Sequence, residues 1–61
     1  MSLGKTWFTP KEAASMFGID EKLILEWVEE GLVRCERLDG EVAQVNLDDL
    51  KLEVEAFLKS S

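Results

Sequence analysis

The stretch Phe17-Gly18-Ile19-Asp20 constrains the fold most, because it predicts the end of one helix and the start of the next within four residues. Glycine is favoured in the left-handed position that ends a helix. Aspartate accepts hydrogen bonds from the free N–H groups at a helix start. We therefore predict two helices joined by a tight turn.

The segment before this turn predicts a helix over residues 10–17. Thr9 and Glu12 have the spacing of a capping box, and Pro10 suits the first helical position. The apolar residues that recur at helical spacing predict one buried stripe, made of Ala13, Met16 and Phe17. The predicted helix is about two turns long.

A second helix is predicted over residues 20–30, closed by Gly31. Steps of 100° per residue place one apolar face toward the core, made of Leu23, Ile24, Trp27 and Val28. Trp27 is predicted to lie at the centre of the core. The opposite face holds Lys22, Leu25, Glu26 and Glu29. Leu25 is unexpected there, because nothing in the geometry of the helix itself buries it.

After the second helix, Asp39-Gly40 is a strong signal for a two-residue hairpin turn between two strands. The inward positions are Val33, Val45 and, with weaker alternation, Cys35. Asn46 then predicts the cap of a helix over residues 47–58. Its apolar stripe is Leu47, Leu50, Val54, Phe57 and Leu58.

The order of elements indicates a mainly α fold with a small β-hairpin, in one domain over residues 6–59. Residues 1–5 are predicted to be a flexible N-terminus, and residues 60–61 a tail. Met1-Ser2-Leu3-Gly4 fits either native sequence or a cloning remnant, in which case the chain is a fragment of a longer protein.

Several functions are disfavoured by composition. The chain has one cysteine, Cys35, and no histidine, so it forms no internal disulfide and assembles no zinc set. This usage favours a reduced, cytoplasmic setting. We find no nucleophile–base pair and no phosphate-binding loop, and we expect no catalytic residue, metal, cofactor or small-molecule substrate. No apolar run approaches the roughly 20 residues that span a bilayer.

The charge of the chain bears on its partners. Thirteen acidic and seven basic residues give a net charge of −6. DNA phosphates repel such a chain, since proteins bind them chiefly through lysine and arginine.

Three stretches nevertheless resemble one family of DNA-binding domains. The chain is similar to small winged helix-turn-helix domains of the excisionase/MerR type in "FTPKEAASMFGID", "LEWVEEGLV" and "VNLDDL". The best markers are the run 9–14, the run 17–20, and Trp27 followed by Glu30-Gly31. The resemblance spans about residues 7–58. It implies a winged helix-turn-helix with a two-stranded wing.

The resemblance also implies a function, namely DNA binding by a transcriptional regulator or an architectural protein. The second helix would enter the major groove and the hairpin would contact the backbone. Relatives commonly carry arginines or small polar residues at the positions held here by Leu25, Glu26, Glu29, Glu41 and Val42. We therefore expect weak binding by this chain alone. The implied DNA-binding residues are Lys11, Lys22, Leu25, Glu26, Glu29, Arg34 and Arg37.

A second hypothesis stays open, that of a protein-interaction or dimerisation module. Its surface would be formed by Leu25, Glu26, Glu29 and Val42. An apolar residue with an acidic rim is typical of a small interface, and the acids favour a basic partner or a second copy of the chain. The two hypotheses differ in where Lys5, Arg34 and Arg37 lie. If these three cations converge beside Lys11 and Lys22, DNA binding is favoured.

Overall fold

Six elements follow one another in the computed structural model, which describes residues 6–60. They form three helices and a three-stranded antiparallel sheet with the strand order β1-β3-β2. The predictions for residues 1–5 and Ser61 lie outside the described residues. The elements are β1 (Trp7–Phe8), α1 (Pro10–Phe17), α2 (Glu21–Glu29), β2 (Cys35–Leu38), β3 (Glu41–Asn46) and α3 (Leu47–Lys59).

The predicted start and end of the first helix and the predicted start of the second are confirmed by their caps. The backbone N–H of Glu12 donates to Thr9 Oγ1 and that of Thr9 to Glu12 Oε1, both at 3.1 Å. Gly18 ends α1 in the left-handed conformation, with φ at 67°. Asp20 then caps α2 by accepting from the N–H of Lys22 at 3.0 Å. These local bonds fix the tight turn over residues 18–20.

The predicted hairpin turn is also confirmed. Asp39 and Gly40 both have positive φ, at 55° and 82°, as the tight turn of a two-residue hairpin requires. The prediction of only two strands is incomplete, because β1 adds a third by pairing with residues 45 and 46 of β3. A two-residue strand is too short to show the alternation by which strands are predicted.

The core lies between the helices and the sheet. Ile24, Val45 and Leu50 have the largest fully buried side chains. Trp27 is also buried in this cluster, which confirms its predicted central place. The remaining buried members of the cluster are Ala13, Val28, Val33 and Val54, while Leu23, Phe17 and Cys35 are partly buried against it.

The predicted burial of Met16, Phe57 and Leu58 is wrong. Met16 lies about 60° around α1 from Ala13, on the side away from Phe17, and is exposed. The stripe of α3 is buried at Leu50 and Val54, but Phe57 is 43% exposed and Leu58 62%. The ring of Phe57 packs edge to face against the ring of Trp27, with 6.0 Å between the ring centroids. The apolar pattern of α3 thus continues beyond the part of the body that covers it.

Candidate binding groove

An open groove of about 580 Å³ lies where the start of α1, the outward face of α2 and strand β3 meet. Its position follows from the tight α1–α2 turn and from the hairpin, which together bring these elements side by side. The lining residues are Thr9, Pro10, Lys11, Glu21, Leu25, Glu29, Glu41, Val42 and Ala43.

Four of the lining residues are apolar. They are Pro10, Leu25, Val42 and Ala43, and we call this set the apolar floor. Leu25 was expected on an outward face with nothing to bury it, but it is half-buried. Val42, partly buried against the core, lies in the same groove. Leu25 thus shares this groove with residues of α1 and β3.

A bulge in β3 shapes the side of the groove formed by the hairpin. Glu36 pairs with Gln44 and Arg37 pairs with Val42, so the intervening Ala43 has no partner in β2. A bulge bends its strand and increases the local twist. Beyond the bulge the hairpin lies close enough to α2 for Arg37 to reach Glu29.

The charged residues that line the groove are mostly acidic. Glu21, Glu29 and Glu41 contribute three negative charges and Lys11 one positive charge, a net of −2. Arg37, which is bonded to Glu29, reduces this to −1. Neither Glu21 nor Glu41 forms an ion pair with a described residue. The groove therefore offers two carboxylates that have no ion-pair partner within residues 6–60, beside an apolar floor.

The pair between Arg37 and Glu29 joins the hairpin to α2. Arg37 Nη2 donates to Glu29 Oε2 at 3.1 Å, and this hydrogen bond raises the pKa of the guanidinium. Both side chains are exposed, that of Glu29 by 70%. An exposed pair with one contact contributes little to stability. Arg37 thus neutralises part of the groove without being fixed there.

Arg34 is held elsewhere, on α3. Its Nε and backbone N–H donate to Asp49 Oδ2 at 2.8 and 3.1 Å, and its Nη2 donates to Oδ1 at 3.3 Å. These bonds lower the pKa of the Asp49 carboxyl and raise that of the guanidinium. The Arg34 carbonyl accepts from the N–H of Asn46 at 2.9 Å. Neither Arg34 nor Asp49 lines the groove.

The two lysines expected at the DNA surface lie near the starts of their helices. Lys11 and Lys22 are exposed, and neither forms an ion pair within residues 6–60. Lys11 lines the groove, whereas Lys22 does not. Lys5 lies outside the described residues. Among the described cations, Arg34 is bonded to Asp49 and Arg37 to Glu29, and Lys11 alone lines the groove.

The groove brings together only some of the predicted site residues. Lys11, Leu25, Glu29 and Val42 line it, and Arg37 adjoins it through Glu29. The exposed Glu26, like Lys22 and Arg34, is not among the lining residues. Glu21 was not assigned to a site from the sequence. Its spacing was a usable signal, since Glu21, Leu25 and Glu29 recur every four residues on one side of α2.

Two further observations concern the described residues alone. Over residues 6–60, no group of three or more acidic or cysteine side chains is placed to hold a metal ion. None of the helices in this range has the length and apolar character needed to cross a bilayer.

The chain matches no protein-family model, and no curated protein or solved structure is significantly similar to it.

Proposed function

We propose that the chain is a winged helix-turn-helix domain of the excisionase/MerR type whose groove binds another protein. The order α1, tight turn, α2, hairpin supports the fold assignment, with β2 and β3 as the wing. The resemblance of residues 7–58 to that family supports it as well. The free thiol of Cys35 is in keeping with a cytoplasmic setting.

One observation carries the interaction hypothesis, namely that three of the four charged residues lining the groove are carboxylates. The arginines of the hairpin do not offset them fully. Arg34 is bonded to Asp49 away from the groove, and Arg37 neutralises Glu29 alone. Such a surface repels phosphates. It does not repel a protein segment of suitable charge.

The apolar floor supports the same proposal. Leu25 and Val42, on different elements, line one groove, and neither is fully buried. Small interfaces commonly have an apolar centre within a polar rim. Glu21, Glu29 and Glu41 supply such a rim here.

Selection of random peptides displayed on phage, with the whole chain as bait, tests this proposal. The matched bait is Leu25→Asp, which changes the floor without altering the buried core cluster. Circular dichroism and thermal melting check that this variant folds. We expect enriched peptides that bind the wild type and lose binding to Leu25→Asp. Failure to enrich any peptide, or equal binding to both baits, would contradict the proposal.

DNA binding is the second candidate function, for a transcriptional regulator or an architectural protein. It is favoured by Lys11 and Lys22, which are exposed and lie in the first turns of α1 and α2. Phosphates bind well at helix N-termini, where free N–H groups point outward. The acidic groove implies weak binding, strengthened by dimerisation or by basic segments outside this chain.

Fluorescence anisotropy with a labelled mixed-sequence duplex at low salt separates the two functions. If DNA is the partner, Lys22→Glu abolishes binding, while Lys59→Glu, with the same charge change on α3, has a smaller effect. DNA affinity also falls steeply as salt is added. We expect no saturable binding by the wild type. Saturable binding that depends on Lys22 would establish the DNA function instead.

A further inference from the structure

We propose that the partner of the groove is a basic protein segment that places an apolar side chain on Leu25 and Val42 and an arginine on Glu29. This inference rests on the proposed interaction function and names its partner class. It follows from the contact between Glu29 and Arg37, which shows how the groove receives a guanidinium.

Arg37 occupies the position that we assign to the partner's arginine. It donates one hydrogen bond, from Nη2 to Glu29 Oε2. A carboxylate can accept two parallel bonds from one guanidinium, and the bidentate arrangement is the stronger one. The Arg37–Glu29 pair is also exposed, so exchanging it costs little. A partner arginine can therefore displace Arg37 and form the fuller pair.

The other carboxylates fit the same partner. Glu41 lies in the groove with Glu29 and has no ion-pair partner within residues 6–60. Glu21 likewise forms no ion pair within this range. Lys11 opposes these attractions, since it lines the groove and repels a cation. The three carboxylates of Glu21, Glu29 and Glu41 still outnumber the single charge of Lys11.

The spacing along α2 predicts the spacing of the partner's residues. Glu21, Leu25 and Glu29 lie four residues apart, which is about 6 Å of helix rise per interval. An extended segment advances about 6.6 Å in two residues. The matching pattern has a basic residue, an apolar residue two positions later and an arginine two positions after that.

Charge selects this partner over a second copy of the chain. Each copy carries a net charge of −6, so two copies repel each other. A basic segment is attracted both by the groove and by the whole chain.

Anisotropy with a short labelled peptide tests the partner class. The peptide has a central leucine with an arginine two positions away on each side, and glycine and serine elsewhere. One control peptide replaces leucine by serine, and another replaces both arginines by glutamate. We expect the first peptide to bind at least about tenfold more tightly than the serine control, because burial of the leucine is lost there.

Variants of the chain locate the binding. Leu25→Ala and Glu29→Gln should each weaken binding of the leucine–arginine peptide. Arg37→Gln should strengthen it about two- to fivefold, since the competing guanidinium is removed. Lys59→Gln removes one positive charge from α3, which contributes no lining residue, and should have a smaller effect.

Three outcomes would overturn the partner assignment. They are equal binding of the glutamate peptide, equal binding of the serine peptide, and an effect of Lys59→Gln as large as that of Arg37→Gln. Concentration-dependent light scattering that is lost in Leu25→Asp would instead identify a second copy as the occupant.

Phage selection separates the two possible failures. Enriched peptides that need Leu25 but lack basic residues would refute the partner class and leave the interaction function standing. If no peptide is enriched and a duplex binds through Lys22, both proposals fail.

Discussion

The two arginines of the hairpin region lie three positions apart in the sequence and have different structural roles. Arg34 lies at the hairpin base, which we define as Arg34, Cys35, Val45 and Asn46. There it makes three hydrogen bonds to Asp49; the Asp49 side chain is 23% exposed, and the Arg34 side chain is 71% exposed. Arg37 lies on the hairpin tip, residues 37–42, and makes one hydrogen bond to the exposed Glu29.

This difference indicates which part of the molecule is fixed and which is adaptable. At the base, Val45 is fully buried, and Asn46 caps α3 through its side chain. At the tip, Arg37 makes one exposed hydrogen bond to Glu29 and also interacts with Cys35 of the base. We infer that the base maintains the fold while the tip and α2 form a surface able to exchange partners.

The largest effect on stability is expected from a substitution in the core. Trp27→Ala should lower the free energy of unfolding by about 3–5 kcal/mol, because it removes a large buried ring from the core cluster. In so small a domain this unfolds most of the molecules. Urea denaturation followed by circular dichroism measures the loss, with Trp27→Phe as a milder control. A loss below about 1 kcal/mol would contradict the central role of Trp27.

A smaller effect is expected at the cap of α3. Asn46 Oδ1 accepts from the N–H of Asp49 at 3.0 Å. Asn46→Ala should lower the free energy of unfolding by about 1 kcal/mol, whereas Asn46→Ser keeps an oxygen acceptor and should cost less. Thermal melts of the two variants measure the difference. Equal losses of stability in Asn46→Ala and Asn46→Ser would show that the hydrogen bond to the Asn46 side chain does not stabilise the start of α3.

The Asp49 carboxylate should make the stability of the base depend on pH. Hydrogen bonds from Arg34 lower the folded pKa of Asp49, so its stabilising contribution is present above the ordinary carboxyl pKa of about 3.9. The contribution is lost as the pH falls through the lowered pKa. Near pH 6 the denaturation midpoint of the wild type should therefore be higher than that of Asp49→Asn. In acid the two midpoints should become equal.

Asp48→Asn is the matched control for this pH dependence. Asp48 lies in the same first turn of α3 and forms no ion pair within the described range. Its substitution removes the same charge near the helix start and a weaker electrostatic attraction to Arg34, but it keeps the hydrogen bonds between Arg34 and Asp49. If the midpoint difference from the wild type disappears in acid to the same extent for Asp48→Asn and Asp49→Asn, the pH dependence comes from charge at the helix start. It then does not come from the pair of Arg34 and Asp49.

The smallest effect on stability is expected at the tip. Arg37→Gln should leave the denaturation midpoint unchanged within error, because an exposed ion pair such as the one between Arg37 and Glu29 contributes little to stability. Arg34→Gln should lower the midpoint measurably, since it loses bonds to a partly buried carboxylate. Identical midpoints for the two variants would remove the distinction between base and tip.

Much of the fold was predictable from the sequence because its signals are local. The capping box of Thr9 and Glu12, the cap at Asp20 and the turn at Asp39-Gly40 each involve residues within three positions of one another. Such short-range bonds form in the same way wherever the segment lies. The core face of α2 was predictable too, since helical periodicity alone places Ile24, Trp27 and Val28 together.

The candidate site depends on contacts between distant residues, which the sequence pattern left open. Arg34 and Asp49 are 15 positions apart, and Arg37 and Glu29 are 8 apart on different elements. Leu25 is partly buried and lines a groove together with residues of α1 and β3. β1 becomes a strand only through its pairing with β3. The sequence by itself thus determined where the helices and the hairpin turn occur, because those features are stabilised within each segment. Only the tertiary structure decided which arginine pairs with which acid and which residues form the groove, because both depend on how the segments pack.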